Sequence, residues 1–194
     1  MTAQTTLYYD LGSPYAYLAF ERAASVLGAE PCLEPILAGG IFVLRGWGSW
    51  AHTAERGERV AEVERRAERY GLPPLRWPPG WPDNTLRAMR AARWAQRLGA
   101  GREFARAAFR RGFAEAGDLS DLGVVAEVAA AVGLPAEELA GAIADPALKA
   151  ELKEATQRAW ARGVGGVPCL EVGSEVFYGD DRLEAAAAAR ERLS

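Results

Sequence analysis

The spacing of hydrophobic and polar positions changes twice along the chain, and each change marks a switch between predicted strands and predicted helices. Residues 5–10 (TTLYYD) have the β-favouring side chains of a strand, and a Gly-Ser-Pro sequence follows soon after them. From Ser13-Pro14 onward, apolar residues recur at helical spacing as far as Gly28, which predicts a helix. Residues 31–37 then predict a second strand, and its internal proline places it at an edge or a bend.

The middle of the chain has a helical pattern, and its end returns to alternation. Glycines, prolines and N-capping residues divide the middle into six predicted helices: 51–70, 84–99, 102–116, 120–132, 135–143 and 146–162. Residues 167–172 and 175–178 alternate around Gly173-Ser174, which predicts a β-hairpin. An alanine-rich final helix is predicted over 180–193, with acidic residues at its start, where the helix dipole favours them.

The predicted order of elements is β-α-β, a long helical block, and then β-β-α. This order indicates an α/β fold, with a thioredoxin-like core assembled from both chain ends and a large all-helical insertion between them. On this interpretation, residues 1–44 and 163–194 form the thioredoxin-like domain, and residues 45–162 form the helical insertion domain.

Composition narrows the class of protein. A chain of 194 residues, 49% of them hydrophobic, can bury a sizeable core, so we expect an ordered domain with or without an insertion. It has no run of about eighteen apolar residues and no signal-peptide pattern at its start, so we expect a cytoplasmic protein without a membrane partner. Its two cysteines, Cys32 and Cys169, and its single histidine are too few for a disulfide-stapled scaffold or a structural metal site.

The formal net charge of -3 conceals an uneven distribution of charge. Residues 45–111 have fifteen arginines and seven acidic residues, whereas residues 112–194 have seven basic and fifteen acidic residues. Solvated helix faces are one explanation of the basic segment, because pairs such as Glu62–Arg66 have the spacing that stabilises helices. Steering of an anionic small molecule is the other. Nucleic acid is not expected as a partner, because aromatic residues do not alternate with the arginines.

The first motif with chemical potential joins the first strand to the first helix, in residues 10–18 (DLGSPYAYL). In thiol oxidoreductases this place holds a Cys-X-X-Cys pair, whose first thiol has a lowered pKa at the helix N-terminus. Here the corresponding residues are Ser13 and Ala16, which cannot form a disulfide. Ser13 is either a simple N-cap or a hydroxyl that donates a hydrogen bond to a thiolate supplied by a ligand.

A second motif, GGVPCL at residues 165–170, opens the predicted hairpin. Pro168 is either an ordinary edge-strand proline or part of a cis Val167-Pro168 bond. The cis form would leave the main chain of Val167 free to pair with a peptide-like ligand. Cys169, which follows directly, is more typical of a small buried apolar residue than of a reactive thiol.

A third motif places Asp180 and Asp181 at the start of the final helix. The two acids either cap this helix or receive the ammonium group of a ligand. The six tryptophans, which lie mostly near glycine and proline turns, either belong to the core or line an aromatic pocket.

Together these motifs carry a resemblance to a known family. The segments DLGSPYAYLAFERA and GVPCLEVGSEVFYGDDRLE are similar to those of the 2-hydroxychromene-2-carboxylate isomerases and the related kappa-class glutathione transferases. Both groups belong to the DsbA-like branch of the thioredoxin superfamily. The resemblance covers the whole chain in motif order and spacing, and it implies an enzyme that uses glutathione as a cofactor and forms a homodimer.

The resemblance also implies roles for individual residues. Ser13 corresponds to the serine that holds and activates the glutathione thiol, and is therefore the expected catalytic residue. Val167 and Pro168 correspond to the cis-proline segment that pairs with the cysteinyl main chain of glutathione. Asp180 and Asp181 correspond to the helix-start residues that bind its γ-glutamyl end.

The substrate side departs from the family pattern. Family members commonly have an asparagine in the loop that follows Leu-Ala-Gly-Gly-Ile, and here that loop (FVLRGWGSW) has none. The expected substrate pocket contains Tyr15, Arg45, Trp47, Asn84 and Arg87. The two arginines would hold a substrate carboxylate, Trp47 or Trp50 would reshape the pocket, and Asn84 would supply an amide.

The expected function is glutathione-dependent cis-trans isomerisation of 2-hydroxychromene-2-carboxylate, or of a similar anionic aromatic breakdown product, by reversible thiolate addition. Two alternatives stay open: a kappa-like transferase that conjugates glutathione to electrophiles, and a non-catalytic thioredoxin-like binding module. A disulfide oxidoreductase that uses Cys169 alone is not expected.

Overall fold

A four-stranded mixed sheet forms the centre of the structure, a computed structural model that describes residues 4–193. Its strands, in the order in which they lie side by side, are β2 (Cys32–Pro35), β1 (Thr5–Tyr9), β3 (Cys169–Val172) and β4 (Glu175–Tyr178). β2 is parallel to β1, β3 is antiparallel to β1, and β4 is antiparallel to β3. The sheet therefore combines strands from both ends of the chain, as predicted.

Nine α-helices lie within residues 4–193. In chain order they are α1 (Pro14–Leu27), α2 (Ala38–Arg45), α3 (Arg56–Arg69), α4 (Leu86–Arg97), α5 (Gly101–Phe113), α6 (Leu122–Ala131), α7 (Leu139–Ala144), α8 (Pro146–Ala161) and α9 (Leu183–Arg192). None of the helices in this part of the chain is long and apolar enough to cross a membrane. The α/β fold with inserted helices is thus confirmed, while the domain boundaries at 44/45 and 162/163 stay a prediction.

Helix boundaries agree with the predicted ones to within three residues except at the starts of α3 and α7. There the first predicted residues form separate 3-10 turns, Trp50–His52 and Ala136–Glu138. A third 3-10 turn, Asp180–Arg182, precedes α9.

The hydrophobic pattern does not predict α2. Its sequence contains two glycines, which disfavour a helix, and Ile41 is its only buried side chain, whereas Val43 and Leu44 are exposed. Contacts from outside stabilise its start: Ala38 N–H donates to the Asp10 carboxylate at 2.9 Å, and α8 packs against it. Tertiary contacts therefore form this helix where local propensity would not.

Alternation along β1 divides the core between the two faces of the sheet. Leu7 and Tyr9 belong to the larger cluster, which includes α1 and α5, and the rings of Tyr9 and Phe109 lie 5.8 Å apart. Tyr8 points to the other face, where a smaller cluster contains Ile41 of α2 and residues of α8.

One edge of the sheet collects the segments that contain the predicted site. β1 and β2 end there because they are parallel, and β3 begins there because it is antiparallel to β1, with Tyr8 opposite Cys169. β4 also ends there, with Tyr178 opposite Cys169. The chain segments next to these strand ends therefore lie at one edge: residues 10–13, 36–38, 165–168 and 179–181.

Candidate active site at the sheet edge

Ser13 lies in the turn between β1 and α1 and is the N-cap of this helix, as its sequence context predicts. Its Oγ accepts a hydrogen bond from the N–H of Ala16 at 3.2 Å, and Pro14 occupies the first turn. The residue is half-buried, and the first turn of α1 has no acidic side chain. An anion beside Ser13 would therefore meet the positive end of the helix dipole and a hydroxyl that can donate.

A buried carboxylate that no motif singles out lies next to this turn. Asp10 is 6% exposed, and burial raises its pKa, while three hydrogen-bond donors oppose that shift. Gly12 N–H and the Thr85 hydroxyl donate to Oδ1 at 2.9 and 3.1 Å. Ala38 N–H donates to Oδ2 at 2.9 Å. The main chain next to Ser13 is thus tied to α2 and to the start of α4.

The Val167-Pro168 peptide bond is cis, one of the two alternatives that the sequence leaves open. The N–H and C=O of Val167 make no hydrogen bond to any residue between 4 and 193. The C=O of Pro168 accepts a hydrogen bond from Gly179 N–H at 3.0 Å, which joins this segment to the turn before α9. The unpaired groups of Val167 are therefore free for the main chain of a ligand, although the binding roles of Val167 and Pro168 stay predictions.

Arg45 and Tyr178 pack over the two glycines that precede Val167. Arg45 Nη1 donates to the C=O of Gly165 at 2.6 Å, and a Cβ on Gly165 would lie 2.9 Å from this nitrogen. A Cβ on Gly166 would lie 2.5 Å from Cε2 of Tyr178. A side chain at either position would displace its neighbour: the Arg45 guanidinium at Gly165 and the Tyr178 ring at Gly166.

Arg45 and Trp47, two residues of the predicted pocket, lie together. The guanidinium carbon of Arg45 is 3.4 Å from the centroid of the Trp47 ring, and this ring is 58% exposed. Of the Arg45 nitrogens, Nη1 donates to Gly165, while Nε and Nη2 have no hydrogen-bond partner within residues 4–193. A carboxylate that approached this corner could therefore accept hydrogen bonds from Arg45.

The two acids of the third motif have different surroundings. The Asp180 side chain is 1% exposed and accepts hydrogen bonds from Arg66 Nη1 at 2.7 Å and from the Tyr70 hydroxyl at 2.9 Å. Burial raises the pKa of Asp180, and Arg66 and Tyr70 oppose this shift. The Asp181 side chain is 55% exposed, with Oδ2 3.6 Å from Arg66 Nη1. Asp181 is thus the acid with room for a ligand, although both binding roles stay predictions.

Arg66 brings α3 into the site, which the sequence does not predict. Its Nη2 donates to Glu62 Oε1 at 2.5 Å, and Glu62 Oε2 accepts a hydrogen bond from the Tyr15 hydroxyl at 3.1 Å. Burial and the Glu62 carboxylate raise the pKa of Tyr15 to about 12, so this phenol is protonated at neutral pH. The predicted Glu62–Arg66 pair therefore forms, but it faces Asp180 and Tyr15.

Asn84 and Arg87 make no hydrogen bond or ion pair with these residues within the described part of the chain. Asn84 is exposed and precedes the N-cap residue Thr85, and its Oδ1 accepts a hydrogen bond from Leu86 N–H, the first N–H of α4, at 3.1 Å. Arg87 is exposed on the first turn of α4. In this segment it is Thr85 that reaches the site, through Asp10. The places of Asn84 and Arg87 in a substrate pocket stay predictions.

Three tryptophans form a cluster beside Gly12. The ring centroids of Trp50 and Trp81 are 5.3 Å apart, and those of Trp77 and Trp81 are 4.7 Å apart. Trp81 Nε1 donates to the C=O of Gly12 at 3.3 Å, and the Trp50 ring meets Tyr15 edge-on at 6.0 Å. Trp81 is buried whereas Trp50 is half-buried, so the cluster extends from the core to the surface beside Tyr15, and a role in an aromatic pocket stays a prediction.

The two cysteines are expected to differ sharply in reactivity. Cys169 is buried, and burial raises the pKa of its thiol to about 12, whereas Cys32 is exposed. A chromogenic disulfide reagent at mildly alkaline pH should therefore titrate one thiol in the native protein and two after denaturation. Cys32→Ser should leave no reactive thiol in the native protein, and rapid labelling of Cys169 in that variant would contradict its assignment as an inert core residue.

A metal site and a second groove would be the other features that could bind a ligand. Within residues 4–193, no three His, Cys, Asp or Glu side chains meet in a way that could hold a metal ion. A groove of 620 Å³ between α5 and α6 is lined by arginines of which Arg110 and Arg111 already pair with glutamates.

Comparisons with known proteins agree with this architecture. A family model of the DSBA-like thioredoxin domain matches residues 4–190. A 2-hydroxychromene-2-carboxylate isomerase of Sphingobium xenophagum is 28% identical over 193 residues, which cover 95% of this chain and 96% of that protein. A solved 2-hydroxychromene-2-carboxylate isomerase structure has a TM-score of 0.87 at 22% identity, covering 97% of this chain and 95% of that one. A probable DsbA oxidoreductase from Streptomyces coelicolor has a TM-score of 0.76 at 20% identity, with coverages of 98% and 89%.

Proposed function

The chain belongs to the DSBA-like thioredoxin domain family, and we propose that it is a glutathione-dependent isomerase of 2-hydroxychromene-2-carboxylate or of a similar anionic aromatic compound. Similarity to an isomerase of that name over 95% of the chain supports the isomerase part of this proposal. Glutathione dependence, a homodimeric state and a cytoplasmic location come from the resemblance of the motifs and belong to the same proposal.

The observation that supports glutathione most strongly is the unpaired main chain of Val167. A tripeptide that paired with Val167 as an added strand would satisfy both its N–H and its C=O. Asp181, which is exposed at the same sheet edge, would accept the ammonium group of the γ-glutamyl residue. Ser13 and Ala16 stand where a redox pair would lie, so the reactive thiol would come from the ligand.

When bound, glutathione would supply a thiolate for reversible addition to an unsaturated carbon of the substrate. The carbon–carbon double bond would then be a single bond, free to rotate until the thiolate is expelled and the double bond forms again. Ser13 Oγ–H would donate a hydrogen bond to the sulfur, and the N-terminus of α1 would favour its negative charge. Both effects stabilise the anion and lower the pKa of the thiol. Arg45 would hold the substrate carboxylate, with the Trp47 ring packed beside the aromatic part.

Calorimetric titration and a product assay test this proposal directly. The wild-type protein is expected to bind reduced glutathione, and isomerisation of the substrate should depend on it. Mass spectrometry of the products should find no stable glutathione conjugate, whereas a kappa-like transferase would accumulate one. Absence of glutathione binding would contradict the proposal in favour of a non-catalytic binding module.

A further inference from the structure

The carboxylate of Asp10, three residues before Ser13, is buried, and no Arg, Lys or His side chain hydrogen-bonds to it within residues 4–193. Its two oxygens instead accept hydrogen bonds from one hydroxyl and two main-chain N–H groups. An ionised carboxylate accepts hydrogen bonds and donates none, so these three donors oppose the burial that raises the pKa of Asp10.

The three donors come from three separate parts of the chain. Gly12 belongs to the turn that leads to Ser13, Ala38 is the first residue of α2, and Thr85 is the N-cap of α4. Ala38 N–H also places the carboxylate at the N-terminus of α2, where a negative charge is favourable. One carboxylate therefore fixes the relative positions of three segments at the edge of the sheet.

Gly12 is held on several sides by this arrangement. Its N–H donates to Asp10, and its C=O accepts from Trp81 Nε1 at 3.3 Å. A Cβ on Gly12 would lie 3.0 Å from Thr85 Oγ1 and 3.1 Å from Thr85 Cγ2, so Thr85 packs directly on its Cα. The next residue, Ser13, donates its N–H to the C=O of Asp10 at 3.0 Å. The position of Ser13 is thus set by contacts that involve Asp10 and Thr85.

We propose that Asp10, acting together with Thr85, is the positioning residue that places the Ser13 hydroxyl and the first N–H groups of α1 for the thiolate. This inference rests on the proposed function and deepens it. Asp10 does not touch the ligand: its carboxylate acts only through the main chain of Gly12 and through the hydroxyl of Thr85.

Two changes test the inference. Asp10→Asn keeps the shape of the side chain but turns one acceptor into an NH2 donor that faces another donor. Thr85→Val keeps the shape of Thr85 and removes the hydroxyl, while Thr85→Ser keeps the hydroxyl and provides the conservative rescue. The Thr85 pair keeps the test decisive even if Asp10→Asn does not fold.

Asp10→Asn and Thr85→Val are expected to lower turnover about 10- to 100-fold, since small misplacements of a catalytic group have effects of that size. The dissociation constant of glutathione should change by less than about twofold, because Val167 and Asp181 are independent of these contacts. Thr85→Ser should recover most of the turnover. This separation of turnover from affinity would not arise from a general loss of structure.

Amide hydrogen exchange supplies a readout that needs no ligand. Both variants should accelerate exchange in residues 11–16. The control is Thr156→Val: Thr156 is buried and its Oγ1 accepts from Leu37 N–H at 3.0 Å, beside Ala38 but away from Gly12. This variant should accelerate exchange at the start of α2 and leave both residues 11–16 and turnover unchanged.

The possible outcomes separate this inference from the proposed function. Unchanged turnover in Asp10→Asn, unchanged exchange in residues 11–16, or equal turnover in Thr85→Ser and Thr85→Val would overturn it. If wild-type protein does not bind glutathione, the proposed function fails. The exchange comparison then decides alone whether Asp10 holds the turn.

Discussion

Replacement of Ser13 by alanine is expected to lower turnover about 10²-fold while leaving the affinity for glutathione nearly unchanged. The hydroxyl would donate to a sulfur that is most negative when it is a free thiolate, so its loss removes stabilisation of the reactive anion. Binding of the tripeptide would depend on Val167 and Asp181, which this variant retains. Steady-state kinetics measure the first effect, and calorimetric titration measures the second.

Ser13 also caps α1, so its hydroxyl has a structural role that must be separated from its chemical one. Ser→Ala at an N-cap costs about 1 kcal/mol of stability, whereas glycine costs only a few tenths. Ser13→Gly should therefore be nearly as stable as the wild-type protein and as inactive as Ser13→Ala. Ser13→Thr, which keeps a hydroxyl, should be more active than both. Wild-type turnover in Ser13→Ala would reject the catalytic role.

Replacement of Arg66 by methionine is expected to lower the free energy of unfolding by about 3–5 kcal/mol, because it leaves a buried charge without its cation. The Asp180 side chain, 1% exposed, would keep the Tyr70 hydroxyl as its remaining side-chain donor. In a chain of this length, such a loss corresponds to a melting temperature lower by roughly 10 °C. Denaturant titration and thermal unfolding measure it.

Two variants control this measurement. Arg65→Met, at an exposed position on the same helix, should change stability by less than about 0.5 kcal/mol. The double variant Arg66→Met/Asp180→Asn should be more stable than Arg66→Met alone, because the unpaired group is then neutral. Equal losses in Arg65→Met and Arg66→Met would contradict a buried ion pair.

The pH dependence of the Arg66→Met variant has a definite sign. Arg66 opposes the upward shift that burial causes in the pKa of Asp180, so its removal raises this pKa further above the unfolded value. A carboxyl group with a raised pKa in the folded state contributes stability when protonated and loses that contribution as pH rises. The loss caused by Arg66→Met should therefore be smaller near about pH 4 than at neutral pH.

Local signals explain why much of the fold could be predicted from the sequence. The cap and first turn formed by Ser13 and Pro14 depend on neighbouring residues only, and both occur as predicted. The hairpin of β3 and β4 is likewise set by alternation around a two-residue turn. Helices α4, α5, α6 and α8 begin and end close to their predicted limits because glycine, proline and capping residues mark their ends.

Residues that act through distant partners could not be predicted in the same way. The sequence signal at Asp10 was a lone acid at the end of an apolar strand, but its partners Ala38 and Thr85 lie 28 and 75 positions away. Arg66 reaches Asp180 across 114 positions. Helical periodicity at Arg66 indicated only a pair with Glu62, since a period reports contacts within one helix and none between elements.

By itself, the sequence determined the order of strands and helices apart from α2, the Ser13 cap and the absence of a cysteine pair at the start of α1. These depend on short-range spacing and on residue identity. Tertiary structure alone decided that α2 is helical, that Asp180 is enclosed while Asp181 is open, and that Asp10 ties the turn before Ser13 to α2 and α4. The physical reason is that burial and pairing of charges depend on which distant segments the sheet brings to one edge.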